Sequence, residues 1–191
     1  SSDLREVNAV FDFIEKPYTP VNFKELLVSP NDMRKRLIAL INKEIKNKEQ
    51  GKDAYILAKV NHITDRALIE KLYEASAAGV KIELVVRGNC SLVPGVPGVS
   101  ENIHINGIID RYLEHSRIFI FANAGEERYY IGSADWMPRN LDNRIEVLTP
   151  VYDKVIQAEL KRVVCYGLRD TAKGRIVDGS GENKTWEIGR A

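Results

Sequence analysis

With 191 residues, 44% of them hydrophobic and 29% charged, the chain is long enough for one well-cored soluble globular domain and short for two. A net charge of +1 removes any global electrostatic case for nucleic acid or an anionic membrane, so a polyanion site must come from locally clustered Arg and Lys. No apolar run approaches the ~18 residues of a membrane span. Cys90 and Cys165, far apart and outside any Cys-x-x-Cys, suit a reducing cytosol better than a disulfide scaffold or a zinc site.

Asp3 to Glu15 reads as a helix with Leu4, Val7, Val10, Phe11 and Ile14 on one stripe, stopped by Lys16-Pro17-Tyr18-Thr19-Pro20. Leu26-Leu27-Val28 suggests a short strand. Ser29, Pro30 and Asp32 then fit the N-cap, N1 and N3 positions of a long amphipathic helix to about Lys48, with Met33, Leu37, Leu40, Ile41 and Ile45 inward. A strand at 54–60, a helix from about Thr64 to Ala78 closed by Gly79, and a strand at 80–86 make a βαβ crossover, hence parallel strands. Ligands on such sheets collect at the carboxyl ends of the strands, here Asn61-His62-Ile63-Thr64 and Arg87-Gly88-Asn89. The first of these loops also opens a helix, whose N-terminus favours anions.

Residues 92–100, with two Pro-Gly pairs, form a turn-rich loop. Strands are expected at 108–114, 116–121, 128–131 and 144–148, with a hairpin at Asn123 to Glu126, then an amphipathic helix over 152–168 and a tail or short strands over 171–191. The start at Ser1 rather than methionine and the stop at Arg190-Ala191 suit a piece excised from something longer.

The stretch from Arg111 to Val147 sets one histidine, several arginines and a Gly-Ser turn among short strands. Histidine exchanges protons or takes a phosphoryl group near neutral pH, arginines hold phosphate oxygens, and Gly-Ser turns let backbone amides approach an anion. Strand alternation would put His115 and Arg117 on one face about 6.6 Å apart, close enough for one phosphate to touch both. The bland alternative is a half-buried structural histidine beside a solvent-facing arginine. Arg87 ends a buried strand, where its charge must be paired or aimed into a polar cleft, with Gly88 and Asn89 making the turn. Ser133 with Asp135 makes either an anion-binding turn or a simple cap, and Arg139 flanks it. His62 and His104 have no partners at metal-ligand spacing and read as structural or exposed.

These residues resemble the second motif of the phospholipase D superfamily, a histidine and a basic residue two positions on, followed by a Gly-Ser turn. Arg117 stands where lysine is usual, Ala122 where an aspartate is expected, and Asp135 where asparagine is common. RYLEHSR, GSADWMPRN and DNRIEV, with VVRGNCSL and the opening FDFIEKPYTP, are similar instead to the C-terminal catalytic region of the bacterial polyphosphate kinase family, over nearly the whole chain. That resemblance implies an α/β fold, a phospholipase-D-like mixed sheet with flanking helices in a single domain. Residues 1–20 would be the last helix of a preceding domain plus linker, 21–170 the catalytic domain, and 171–191 its tail or short strands.

It implies reversible transfer of the terminal phosphate of ATP to inorganic polyphosphate through a phosphohistidine in the preceding domain. His115 would be the second histidine, acting as acid or base. Arg87 and His115 fall on nucleotide-binding positions, and Arg117, Asn89, Ser133 and Arg139 complete the expected ATP and phosphate contacts. Mg2+ would be held mainly by the preceding domain, with no metal ligand in this chain. The implied partners are ATP or ADP, polyphosphate, the preceding domain and further copies in a homo-oligomer, located in the cytoplasm or at the periphery of the inner membrane. The competing readings are a phosphodiesterase or nuclease that pairs two His115 side chains in a dimer, and a non-catalytic polyanion-binding module.

Overall fold

The computed structural model describes residues 2–17, 19, 21–180, 182, 184 and 185. The near-continuous apolar strands β2 (Tyr55–Val60) and β3 (Lys81–Val86) form its centre, because a strand covered on both faces has no need of polar alternation. They pair in parallel from Tyr55 with Lys81 to Val60 with Val86, joined by helix α3 (Arg66–Ala77). Gly79 at φ +86° supplies the left-handed residue that ends the crossover helix.

Among the described residues, one mixed sheet of eight strands runs around this unit, in the order β1-β7-β6-β5-β2-β3-β4-β8. Its other members are β1 (Leu27–Ser29), β4 (Ile103–Ile108), β5 (Ile118–Phe121), β6 (Arg128–Gly132), β7 (Glu146–Val151) and β8 (Gly174–Ile176). Helices α2 (Met33–Glu49) and α3 cover one face, where Met33, Leu37, Ile41, Leu68 and Leu72 pack on Ile56, Ala58, Ile82, Leu84, Phe119 and Phe121. Helix α4 (Lys154–Arg169) covers the other through Val164 and Leu160 against Leu57, Ile118, Ile120 and Tyr129. The expected fold class holds.

Several local expectations fail for identifiable reasons. No strand forms at 109–114; the strand is β4, where Ile103 and Ile105 alternate with His104 and Asn106 and pair in parallel with β3. Ser29 is the last residue of β1 rather than a helix cap: its hydroxyl oxygen lies 2.7 Å from the carbonyls of both Asn140 and Arg144, which share its one proton, and accepts from the Glu146 amide. Asp32 stands at the N-cap without a side-chain cap bond.

Helix α1 (Ser2–Glu15) forms, but the face it buries shares only Val10 with the predicted stripe. Phe13 packs edge-on against Phe23, and the Glu6 carboxylate accepts from the amides of Lys24, Glu25 and Leu26, which leaves Leu4, Val7, Phe11 and Ile14 exposed. The tail expected at 171–191 falls partly outside the described residues; within them it contributes β8.

Glu44 of α2 lies 1% exposed beneath the turn after β5, where Oε1 accepts from the Asn123 amide at 2.8 Å and Oε2 finds no partner among the described residues. Burial lifts its carboxyl to about 7, opposed by the Asn123 bond. The folded state thus holds this proton more tightly than the unfolded chain, which releases it near 4.5. Its contribution to stability is full below that value and lost as pH rises through about 7. Glu44→Gln keeps the acceptor and removes the ionisation. Denaturant titrations are expected to find the variant more stable than the parent by about 3 kcal/mol at pH 8, with the difference vanishing toward pH 4.5.

Candidate functional site

Because β5 runs antiparallel to β2, its first residues lie beside the carboxyl ends of β2 and β3, and β6 ends at that same edge. The segments after Val60, Val86 and Gly132 and the one before Ile118 therefore meet there. Asp135 is what joins them. Its carboxylate, 3% exposed, takes Arg117 Nε at 3.2 Å on Oδ1 and Nη2 at 2.9 Å on Oδ2, the Asn61 amide at 2.8 Å, and the Asn61 side chain at 3.2 and 3.3 Å. Burial alone would push this carboxyl up; the Arg117 bonds, the Asn61 bonds and the Arg117 charge outweigh it and hold it below the usual range.

Asn61, 1% exposed, passes the order onward. Its Oδ1 accepts Arg87 Nε at 2.8 Å, and Arg87 Nη2 reaches His115 Nδ1 at 3.2 Å. An arginine has only donors, so Nδ1 is the acceptor and neutral His115 carries its proton on Nε2. The segment before His115 is held by the buried Lys59, whose ammonium pairs with Glu114 at 2.8 Å. His115 itself is exposed. Its pKa lies below the ordinary 6.5, chiefly because the Arg117 charge disfavours an imidazolium; partial burial and Arg87 add to this, and Asp135 opposes it.

Of the expected site residues, Arg87 and His115 come into contact and Asn89 stands in the same loop as Arg87. Asn89 contributes its backbone amide, which donates to His62 Nδ1 at 3.0 Å. Arg117 departs from the expectation. His115 precedes β5 rather than lying on it, and all three Arg117 nitrogens are taken, two by Asp135 and Nη1 by the His115 carbonyl at 3.1 Å. It braces the site instead of sharing a strand face with His115.

The Gly-Ser turn is also committed. The Ser133 amide donates to the Val147 carbonyl and its hydroxyl oxygen accepts from the Val147 amide, while a Cβ on Gly132 would run into that carbonyl. The glycine is needed for the β6–β7 contact, and the amides expected to meet an anion are occupied. Arg139 sits on the turn 139–143 with no polar contact to His115 or Arg87. The N-terminus of α3 is filled by Asp65, which caps Leu68 and pairs with Arg34 at 2.8 Å, so it offers no open anion site.

The sequence pattern places Asn61 and His62 where a buried parallel strand ends, the position at which such sheets bind ligands, but marks neither as a site residue. Among the described residues no three His, Cys, Asp or Glu side chains gather to hold a metal, and the carboxylate beside His115 is saturated by Arg117 and Asn61.

A single mixed sheet with helices on both faces, among the described residues, is a phospholipase-D-like fold, and a histidine with guanidinium partners lies at its carboxyl edge. A phospholipase D family member, Nuc from Salmonella typhimurium, superposes with a TM-score of 0.56 at 12% identity over 80% of this chain and 95% of its own, a likeness of fold alone. The chain belongs to the polyphosphate kinase C-terminal domain 2 family, whose model matches residues 26–190. It is 48% identical to the polyphosphate kinase of Vibrio vulnificus over 184 residues, 96% of this chain and 26% of that protein. The crystal structure of polyphosphate kinase from Porphyromonas gingivalis matches with a TM-score of 0.86 and 44% identity over 91% of this chain and 27% of its own. The chain thus spans about a quarter of the length of these relatives.

Two outcomes follow from the Asp135 hub. Asp135→Asn leaves Arg117 without its counter-charge in a buried place and is expected to cost about 3 kcal/mol or more in denaturant unfolding. In an NMR pH titration His115 is expected to titrate below 6.5 and to move up toward that value in Arg87→Ala.

Proposed function

We propose that this chain is the C-terminal part of a polyphosphate kinase and supplies half of an active site that moves the terminal phosphate of ATP reversibly onto inorganic polyphosphate. The observation that carries the reading is the Arg87–His115 contact at the sheet edge, where an exposed imidazole, kept neutral by two guanidiniums, has its Nδ1 fixed and its Nε2 open. In the forward direction the bond between the β,γ-bridging oxygen and the γ-phosphorus breaks, and a bond forms to a histidine nitrogen of the preceding domain, releasing ADP. The terminal oxygen of polyphosphate then attacks that phosphorus, and the nitrogen leaves.

His115 moves the proton of the bridging oxygen. An arriving polyphosphate neutralises the positive field that depresses the imidazole, so the proton His115 lacks in the free chain becomes favourable once the anion is bound. Arg87 stabilises charge on the transferring oxygens, as positioning and electrostatics dominate such reactions. A covalent transfer needs both a nucleophile and a proton carrier, and one well-placed histidine cannot readily be both. The nucleophile therefore belongs to the preceding domain, as do the groups that would hold magnesium.

The proposed partners are ATP or ADP, inorganic polyphosphate and that domain, with further copies in a homo-oligomer. In the full-length enzyme, His115→Ala is expected to lower kcat for ATP-dependent polyphosphate synthesis by about 10²-fold or more. Arg87→Ala is expected to raise KM for ATP by about tenfold. Undiminished synthesis by the His115 variant would overturn the reading.

A further inference from the structure

His62 stands at the carboxyl end of β2 on a line of constraints that a merely structural histidine does not need. Its carbonyl accepts from the Trp136 amide at 3.1 Å, and Nδ1 accepts from the Asn89 amide at 3.0 Å, which leaves the proton of the neutral ring on Nε2. The Cε1 and Nδ1 side of the ring lies against Gly88, where a Cβ would meet Cε1 at 2.5 Å, so the residue after Arg87 is glycine where the imidazole needs room. The other ring nitrogen, Nε2, has no protein partner among the described residues and is not sealed from solvent.

His62 lines a cleft of about 280 Å³ together with Arg87, Gly88, Asp110, Arg111, Tyr112 and Leu113. Arg87 has Nε on Asn61 and Nη2 on His115, and its Nη1 has no partner among the described residues. The acid on the cleft wall, Asp110, faces Lys173 at 3.6 Å. The cleft thus presents a fixed neutral N–H donor beside an unfilled guanidinium nitrogen, next to His115. A rigid imidazole N–H paired with guanidinium suits an anion with several acceptor oxygens and offers nothing to a cation.

We infer that His62 is a phosphate ligand: its Nε2–H and Arg87 Nη1 hold one phosphoryl group of an inorganic phosphate chain in the cleft beside His115. The inference rests on the phosphate-transfer reading above and adds a binding residue to it. His62 takes no part in proton transfer, since its Nδ1 is spent on Asn89 and its role is to donate.

The test is a titration of the 15N-labelled 191-residue chain with inorganic tripolyphosphate, read at the histidine and arginine side chains. The His62 Nε2 and Arg87 signals are expected to shift together with those of His115. His62→Ala should weaken binding about tenfold, the loss of one hydrogen bond to a charged group. His62→Gln, whose amide nitrogen reaches about as far as Nε2, should recover most of it. Unchanged affinity in His62→Ala, or a silent His62 while Arg87 and His115 respond, overturns the inference and leaves the phosphate site standing. Silence of all three overturns both.

Discussion

A buried carboxylate must be paired, and the satisfaction of Asp135 is the constraint from which the site follows. Its oxygens collect donors from the start of β5 through Arg117 and from the end of β2 through Asn61, while Asp135 itself follows β6. Three pieces of chain far apart in sequence are thereby fixed at one sheet edge, and the fourth, the loop after β3, is attached through Arg87 on Asn61. The buried Trp136, stacked on Phe119 at 5.4 Å and bonded through its carbonyl to the amides of Thr64 and Asp65, supports this junction from below. No residue of the hub needs to touch a ligand for the site to depend on it.

The same arrangement sets the electrostatics. Arg117 is neutralised locally by Asp135, yet its charge is still the largest influence holding His115 uncharged, with Arg87 adding to it. Under the proposed function, an anion entering such a site turns it from unfavourable to favourable for a proton, which would couple substrate binding to the readiness of His115. The coupling needs no moving element. It comes from two guanidiniums held by neighbours that are themselves held, a form of preorganisation in which the cost of ordering is met during folding.

Much of the fold was legible because its signals are local. Continuous apolar runs bounded by a helical repeat and Gly79 identify β2-α3-β3 and, with it, the edge at which ligands gather. Arg87 and His115 were legible as well, one as a charge ending a buried strand and the other through family motifs. What misled were features whose meaning depends on distant chain. Ser29 has the local pattern of a helix cap, but its hydroxyl is claimed by carbonyls more than a hundred residues away. Helix α1 has a clear apolar stripe, but Glu6 and Phe13 on another face find better partners at Lys24 to Leu26 and Phe23. The Gly-Ser turn looked like an anion nest and proved to be a crossing point for β7.

By itself the sequence determined the α/β class, the parallel pair and the residue types that phosphate chemistry requires, because propensity and periodicity act within a few neighbours. Only the tertiary structure decided which of those residues meet. That His115 faces Arg87 rather than Arg117, that Arg117 is a brace, and that His62 lines the cleft all depend on β5 lying antiparallel to β2 and on a buried carboxylate after β6. Strand order and long-range pairing of buried charge are properties of the assembled sheet, and no stretch of chain carries them alone.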